Sequence, residues 1–480
     1  MSLWRHLTRG VRVLANRESA DRELTEELRH YVDSSAAERV AGGWSNTEAR
    51  RTAMLEIGNL TVARERVRSY GWENVVGSLI GDLRYAGRRL RNSPGFTAVA
   101  ILTLALGIGA STAIFSAVNP ILFEALPFPH ASRIAMISDV TSDGEPQDVA
   151  FGSYLEIARR GRAFASMAAL DSWTPAIVGD GTPERLAGQR VGAQYFRTLG
   201  VAPALGRDFT NDDDRANGPR VVILSNGLWR RRFASDRSLV GRTVRLADTD
   251  YLVIGVMPAT FENVLAPLAE LWAPLQYNLV FGEQSREWGH HLRVVARLRE
   301  DVDLRQARRE LDQIAHRPVP EFARVPWASM GNGMLVTSLQ ADVTRAVRPA
   351  LLAVLAAVVL LLAIASVNVT NLMLARGAQR RGEFSMRAAL GAARQRLVRQ
   401  VLTESVALAL GGGALGMVVA HFGVQAIVAL SPPSLPRLGA IRLDGAVFAF
   451  GFVLTTLIGV AVGILPALSM RSEERRVGKE

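Results

Sequence analysis

The chain has 480 residues, a formal net charge of +11 and no cysteine. The missing cysteine excludes a disulfide framework and a thiolate metal site. Basic surplus suits nucleic acid in a soluble protein, but beside long apolar runs it marks the positive-inside bias, and no nucleic-acid partner is expected.

Residues 1–91 read as a small helical domain. Arg22–Val32 (RELTEELRHYV) sets Leu24, Leu28 and Tyr31 at helical spacing. Ser45–Ala49 opens a further helix, with Asn46 or Thr47 as its cap before Glu48. This start is too charged, and the first apolar run too deep, for a cleaved signal peptide.

Four stretches then lack Asp, Glu, Lys and Arg: residues 97–123, 350–375, 405–430 and 446–470. About 20 apolar residues suffice to cross the ~30 Å hydrocarbon core as a helix. The stretches divide one plus three around a polar block, residues 124–349. The expected fold is membrane α-helical, with four transmembrane helices, a large α+β extracytoplasmic domain and a small N-terminal helical cytoplasmic domain.

Arginine counting gives the orientation. Arg84, Arg88, Arg89 and Arg91 precede the first span, and Arg376, Arg380, Arg381, Arg387, Arg394, Arg396 and Arg399 fill the link at residues 376–404. Arg437 and Arg442 alone occupy the loop between spans three and four. Arginine clusters stay cytoplasmic, because mid-bilayer burial costs about 2.5–3.5 kcal/mol each. The N-terminus and the 376–404 link are then inside, and the mixed block and the 431–445 loop outside.

Within the mixed block, Arg220–Leu224 reads as a buried strand. Thr243–Leu246 and Tyr251–Val256 flank the turn-prone Asp248-Thr249-Asp250 and predict a hairpin. His291–Leu298 reads as a strand, and Leu304–Ala315 as a helix with Leu304, Ala307, Leu311 and Ile314 on one face. The block is long enough for its own core, expected in two lobes.

In the spans, Gly107 with Ser111, and Gly412 with Gly416, form small-xxx-small steps that let helix backbones approach. His421 is the one ionisable group inside a span, and is expected neutral and packed between helices. Pro466 marks a kink or end in span four.

No catalytic residues and no cofactor are assigned. A Walker A loop needs G-x-x-x-x-G-K-[ST], but the sole lysine, Lys479, is followed by Glu480. Residues 471–480 differ in composition from the rest and are set aside as a scar. His290 and His291 are neighbours that a strand would aim at opposite faces, so no metal site is expected there. Asp212, Asp213 and Asp214 lack the glycine and bidentate glutamate of a calcium loop, and read as a solvated loop.

The 376–404 link holds far more residues than a hairpin needs. Phe384, Met386, Ala389, Leu390 and Leu397 form an apolar face opposite its arginines. An amphipathic helix on anionic lipid is one reading, and docking to a cytoplasmic partner is the other.

These residues lead to a resemblance. NSPGFTAVAILTLALGIGASTAIF (92–115), PERLAGQRVGAQYFRTLGVAPALGRDF (183–209), LSNGLWRRRF (224–233), VIGVMP (253–258), NVTNLMLARGA (368–378) and EFSMRAALGA (383–392) resemble, in order, ABC transporter permeases of the MacB/FtsX type. Glu23–Gly58 is similar to the prefix domain of the duplicated orphan permeases, in which the four-span module occurs twice. No second copy follows Pro466, so the resemblance implies either a piece of a longer chain or a protomer that dimerises.

The resemblance implies a permease subunit in the bacterial inner membrane that relays the cycle of a separate cytoplasmic ABC ATPase to the outer domain. The implied partners are that ATPase, a second permease module, membrane lipid and a periplasmic adaptor. ATPase coupling falls on Glu383, Phe384, Met386, Arg387, Leu390, Gly391 and Arg394. Gly382 stands where the family pattern leads one to expect a basic residue. The alternative is an envelope regulatory protein that activates a cell-wall enzyme without exporting cargo.

Overall fold

In a computed structural model the description covers residue 30 and residues 32–57, 72–178, 182–277, 289–316, 330, 332–379, 394–433 and 435–477. Two compact units emerge. One holds residues 1–110, 360–419 and 448–480, and the other residues 111–359 and 420–447.

In the first unit, helix α1 (Asn46–Ile57) begins one residue earlier than its predicted caps. Ser45 Oγ accepts from the Glu48 N–H and donates to the Glu48 carboxylate, a reciprocal pairing that neither Asn46 nor Thr47 provides. Helix α2 (Trp72–Arg91) leads to α3 (Pro94–Val118), the first span. Among the described residues, four helices are long and apolar enough to cross a membrane: Pro94–Phe123, Arg348–Ala378, Arg399–Leu430 and Gly445–Ile464. Around the first unit's core, Leu104 and Ile108 of span 1 meet Leu362, Val369 and Met373 of span 2, Leu408 of span 3 and Ile458 and Val462 of span 4.

The second unit carries the mixed domain. Its strands are β1 (Ile134–Val140), β2 (Pro146–Gln147), β3 (Phe164–Trp173), β4 (Ala176–Val178), β5 (Glu184–Arg185), β6 (Gly188–Val191), β7 (Leu205–Gly206) and β8 (Val221–Leu224). They continue as β9 (Thr243–Leu246), β10 (Thr249–Val256), β11 (Leu271–Pro274), β12 (Arg293–Leu298) and β13 (Met334–Ser338). All join one sheet in the order β13-β1-β12-β3-β6-β11-β8-β10-β9-β4-β5, with β2 beside β1 and β7 beside β10. The β8–β10 and β6–β11 pairs are parallel and the others antiparallel.

Period-two alternation buries both faces of the central strands. On β1, Ile134 and Met136 enter one hydrophobic cluster while Ala135 and Ile137 enter another. On β8, Val221 and Ile223 enter the first, while Val222 and Leu224 enter a third. The two lobes expected from sequence are therefore one continuous sheet, whose second face has two separate covers. One cover includes α4 (Phe151–Arg160) and α7 (Leu304–Ala315); the other includes α6 (Asn226–Phe233). Helix α5 (Tyr195–Leu199) packs on the common face.

Local chemistry explains the strongest elements. Helix α7 starts in a capping box, with Asp303 accepting from the Gln306 N–H and Gln306 reaching back to the Asp303 N–H. It buries Ala307, Leu311 and Ile314. The β9–β10 hairpin turns tighter than the sequence suggests: Leu246 pairs with Thr249, leaving only Ala247 and Asp248 in the turn, and Ala247 takes φ 53°.

The remaining helices are α8 (Leu339–Thr344), α9 (Arg348–Gln379), α10 (Arg394–Leu430) and α11 (Gly445–Val477). Helix α9 is a single uninterrupted helix of 32 residues containing span 2. Span 1 ends differently: Asn119–Phe123, with Pro120 in it, is a π-helical turn.

Candidate functional site

Each unit holds one polar constellation that involves span residues. The first, inside the first unit, gathers the residues that flank the predicted coupling segment. Arg89 of α2 donates to Glu404 of α10 at 2.9 Å, with side chains only 14% and 8% exposed. Arg399 pairs with Asp82 at 2.7 Å. Arg376, at the end of α9, donates to Ser93 Oγ at 2.6 Å and lies 4.7 Å from the centre of the Phe96 ring. Helix α10 is thus tied to α2 by ion pairs, and the end of α9 to the start of α3 by a hydrogen bond and a cation–ring contact, where the 376–404 link leaves and re-enters the bundle. Of the predicted coupling residues, Glu383, Phe384, Met386, Arg387, Leu390 and Gly391 lie outside the described residues. Arg394 is the first residue of α10.

Small residues bring the helix backbones together in the same unit. A methyl group added at Gly412 would sit 2.6 Å from Leu104 Cβ, and one at Gly107 would sit 2.9 Å from Leu362 Cδ1. Gly416 faces the backbone of Ala105 and Gly109. A close approach to backbone includes a residue the sequence pattern did not single out: a Cβ at Gly109 would lie 2.7 Å from both the Gly416 carbonyl and Val419 Cβ. In the second unit, Ser111 is buried and its hydroxyl lies 3.5 Å from the Val358 carbonyl.

The second constellation, inside the second unit, joins span ends to sheet. The π-turn of span 1 and the residue after it leave carbonyls to be satisfied from outside the helix. Gln340 of α8 donates to the carbonyls of Leu122 and Glu124, each at 3.1 Å. Two residues on, Asp342 accepts from Arg293 of β12 at 2.7 Å, and Arg293 also donates to the Leu265 carbonyl at 2.9 Å. Leu265 belongs to the loop between β10 and β11. That loop is fixed to the sheet by Asn263, which donates to Gln189 Oε1 at 2.7 Å and accepts from the Tyr195 hydroxyl at 3.1 Å. Trp272 Nε1 donates to the same Gln189 oxygen at 3.0 Å. A neighbouring residue in the loop, Glu262, faces Arg437 from the loop between spans 3 and 4, at 3.8 Å. Arg437 in turn donates to the carbonyls of Pro120 and Glu124, the latter at 3.1 Å, closing the circuit. Burial pushes the Glu262 carboxyl up from its ordinary range, against the opposing pull of Arg437.

Beside the Arg293–Asp342 bridge opens a cleft of about 330 Å³, bordered by Ser138, Gln147, Asp148 and Arg345. Burial raises the Asp148 carboxyl pKa, and Arg293 only partly offsets it. Among the described residues, no group of three or more His, Asp or Glu side chains is placed to hold a metal.

Two readings made from the sequence are corrected here. Of Asp212–Asp214, only Asp212 is exposed as a solvated loop would have it. Asp213 is buried and accepts from both terminal nitrogens of Arg207 and from the Thr210 N–H and hydroxyl. Burial pushes its carboxyl up, but these hydrogen bonds outweigh it and hold the pKa below the usual range. Asp214 accepts from the N–H groups of Ala193 and Gln276 and staples the same loop to the domain. His421 is not packed between helices of this chain: it is exposed on α10, 3.2 Å from Gln425 one turn on. Helical spacing places it on a face that the neighbouring spans leave open. The adjacent histidines are held separately. His290 Nδ1 lies 2.9 Å from the Asp148 carbonyl, and His291 Nε2 lies 2.6 Å from the Tyr277 hydroxyl.

Known proteins share this arrangement of sequence. Residues 97–314 match the MacB-like periplasmic core domain, and residues 355–475 match the FtsX-like permease C-terminal region. The macrolide export ATP-binding/permease protein MacB of Agrobacterium fabrum is 25% identical over 434 residues, covering 84% of this chain and 61% of that protein. The protein of the same name from Rhodopseudomonas palustris is 29% identical over 325 residues, covering 65% and 46%. The chain thus spans between 40% and 61% of the length of the first such relatives. Among solved structures, the periplasmic region of MacB from Actinobacillus actinomycetemcomitans aligns at 16% identity and a TM-score of 0.34, covering 45% of this chain and 94% of that one. With its core domain and permease region matched in order and its four apolar helices, the chain belongs to the MacB/FtsX-type ABC permeases, multi-pass proteins of the inner membrane.

Proposed function

We propose that this chain relays the cycle of a separate cytoplasmic ABC ATPase to its own extracytoplasmic domain. The observation that carries the reading is helix α9. It runs unbroken from Arg348, four residues after α8, to Gln379, four residues into the predicted 376–404 coupling segment. A continuous helix resists compression and bending, so displacement at one end reaches the other. These 480 residues offer no Walker A lysine, so this reading draws its ATP hydrolysis from outside them. A second permease module completes the assembly in this reading. Cargo identity is a property of sites, not of fold, and is left to experiment.

In this mechanism the ATPases close beneath the membrane and push the segment around Glu383, Phe384, Met386, Arg387, Leu390 and Gly391. Arg387 pairs with an acidic groove on the ATPase, and Gly391 permits the turn that follows. The ion pairs of Arg89 with Glu404 and of Arg399 with Asp82 keep α2 and α10 moving as one body with that segment.

Charge reversal tests the docking step. R387E/R394E should still insert in the membrane, yet recover at least about tenfold less ATPase when the tagged chain is purified from native membranes. Loss of one interfacial charge pair costs about 2 kcal/mol or more, and 1.4 kcal/mol is tenfold. Unchanged recovery of a nucleotide-binding subunit, with unchanged hydrolysis, would reject the assigned docking surface.

A further inference from the structure

The loop between spans 3 and 4 is built to grip rather than merely to connect. Its apolar side chains Leu435, Leu438, Ile441 and Leu443 pack with Ala117 and Ile121 of span 1 and Leu351 of span 2. Arg437 stands at the centre of the loop in a left-handed backbone conformation, φ 59°, and is only 5% exposed. A left-handed arginine is uncommon, and its neighbours must hold it there. One edge of its guanidinium donates to the Pro120 and Glu124 carbonyls at the π-turn of span 1. Its Nε lies 3.8 Å from Glu262 Oε2, and neither Arg437 Nε nor the other oxygen of that carboxylate, Oε1, has a hydrogen-bond partner among the described residues. A buried donor left open 3.8 Å from a carboxylate oxygen is costly at rest and gains from a small closing movement. Glu262 is next to Asn263, which is bonded into the centre of the sheet through Gln189.

We propose that Arg437 is a positioning residue that pins three separate segments to one point: the π-turn of span 1, the β10–β11 loop of the domain, and the span 3–span 4 loop. Spans 3 and 4 then drive the domain directly, by a route that does not pass through the chain connections of spans 1 and 2. The planar fork of arginine suits the task, since it reaches two carbonyls and a carboxylate at once. This inference rests on the relay reading for its purpose, while the pin itself is a property of the resting chain.

Hydrogen exchange on the full-length chain in nanodiscs tests it. R437A should speed exchange about tenfold or more at residues 119–126 and 259–266 together, with residues 221–224 of the sheet unchanged. Acceleration confined to residues 435–443 would overturn the proposal, because Arg437 would then order only its own loop. Should R437A fail to fold, E262A removes the domain-side contact alone. It should loosen residues 259–266 but not 119–126, and an unchanged 259–266 segment would overturn the proposal equally. A readout that a merely structural residue would not move is the ATP-dependent change at 259–266 in the co-purified ATPase complex. R437A should abolish that change with ATPase recovery unaltered, and its persistence would refute the pin. If the wild-type complex shows no such change, the relay reading fails, while the resting-state comparison still judges Arg437.

Discussion

Replacing Glu404 with alanine is expected to destabilise the spans by about 3–5 kcal/mol, the usual effect of removing one partner from a buried ion pair. The pair with Arg89 is 2.9 Å long and nearly closed to solvent, so screening discounts it little. Gln400 adds a longer contact, 3.4 Å, to the same carboxylate oxygen. E404A would leave the Arg89 cation without that carboxylate at the junction of α2 and α10. Thermal unfolding in detergent should show a lowered midpoint for E404A and for R89A. The double variant R89L/E404L should recover most of the loss, since a buried pair replaced by apolar side chains is often neutral. Additive losses in the double variant would mean that the two residues act separately.

The second large effect is expected at the crossing of spans 1 and 3. Gly109 and Gly416 allow backbone contact there, and even one added carbon at Gly109 meets backbone oxygen and Val419 at 2.7 Å. A whole leucine cannot be accommodated by side-chain movement alone. G109L should therefore lower stability by about 1–3 kcal/mol or more, as overpacked cores do. The control is G377A in α9, where an added methyl group meets nothing within 4 Å. There the gain in helix propensity should stabilise by up to about 1 kcal/mol. Equal midpoints for G109L and the wild type would show that the contact is dispensable.

How far the sequence reveals this molecule depends on the range of the forces involved. The one-plus-three division into spans is legible because charge exclusion over a ~30 Å core leaves long uncharged runs. Helix α7 is legible because its period and its cap are both local. The hairpin after β9 is legible except for the exact turn, where Ala247 adopts a conformation that its residue type does not advertise. Asp213 is misread because its donors include Arg207, outside any calcium-loop spacing. His421 is misread because a helical stripe gives a face without saying what covers it. Arg437 enters the sequence reading only as one charge in an orientation count, yet its partners Pro120, Glu124 and Glu262 lie 170 residues or more away. Contacts of that separation leave no local pattern. Glu404, adjoining the third uncharged run, looks like part of a solvated link, and only the helix that continues through it shows it to be buried.

In the proposed relay, the mixed domain and the coupling segment lie on opposite faces of one membrane and communicate through the spans. Because the chain has no cysteine, single-cysteine variants can be labelled without background. R230C reports the domain, where Arg230 is exposed on α6, and R387C reports the coupling segment. With a membrane-impermeant maleimide, R230C should react only from the outer face of sealed vesicles and R387C only from the cytoplasmic face. Reaction of both from the same face would leave no bilayer for the spans to carry force across.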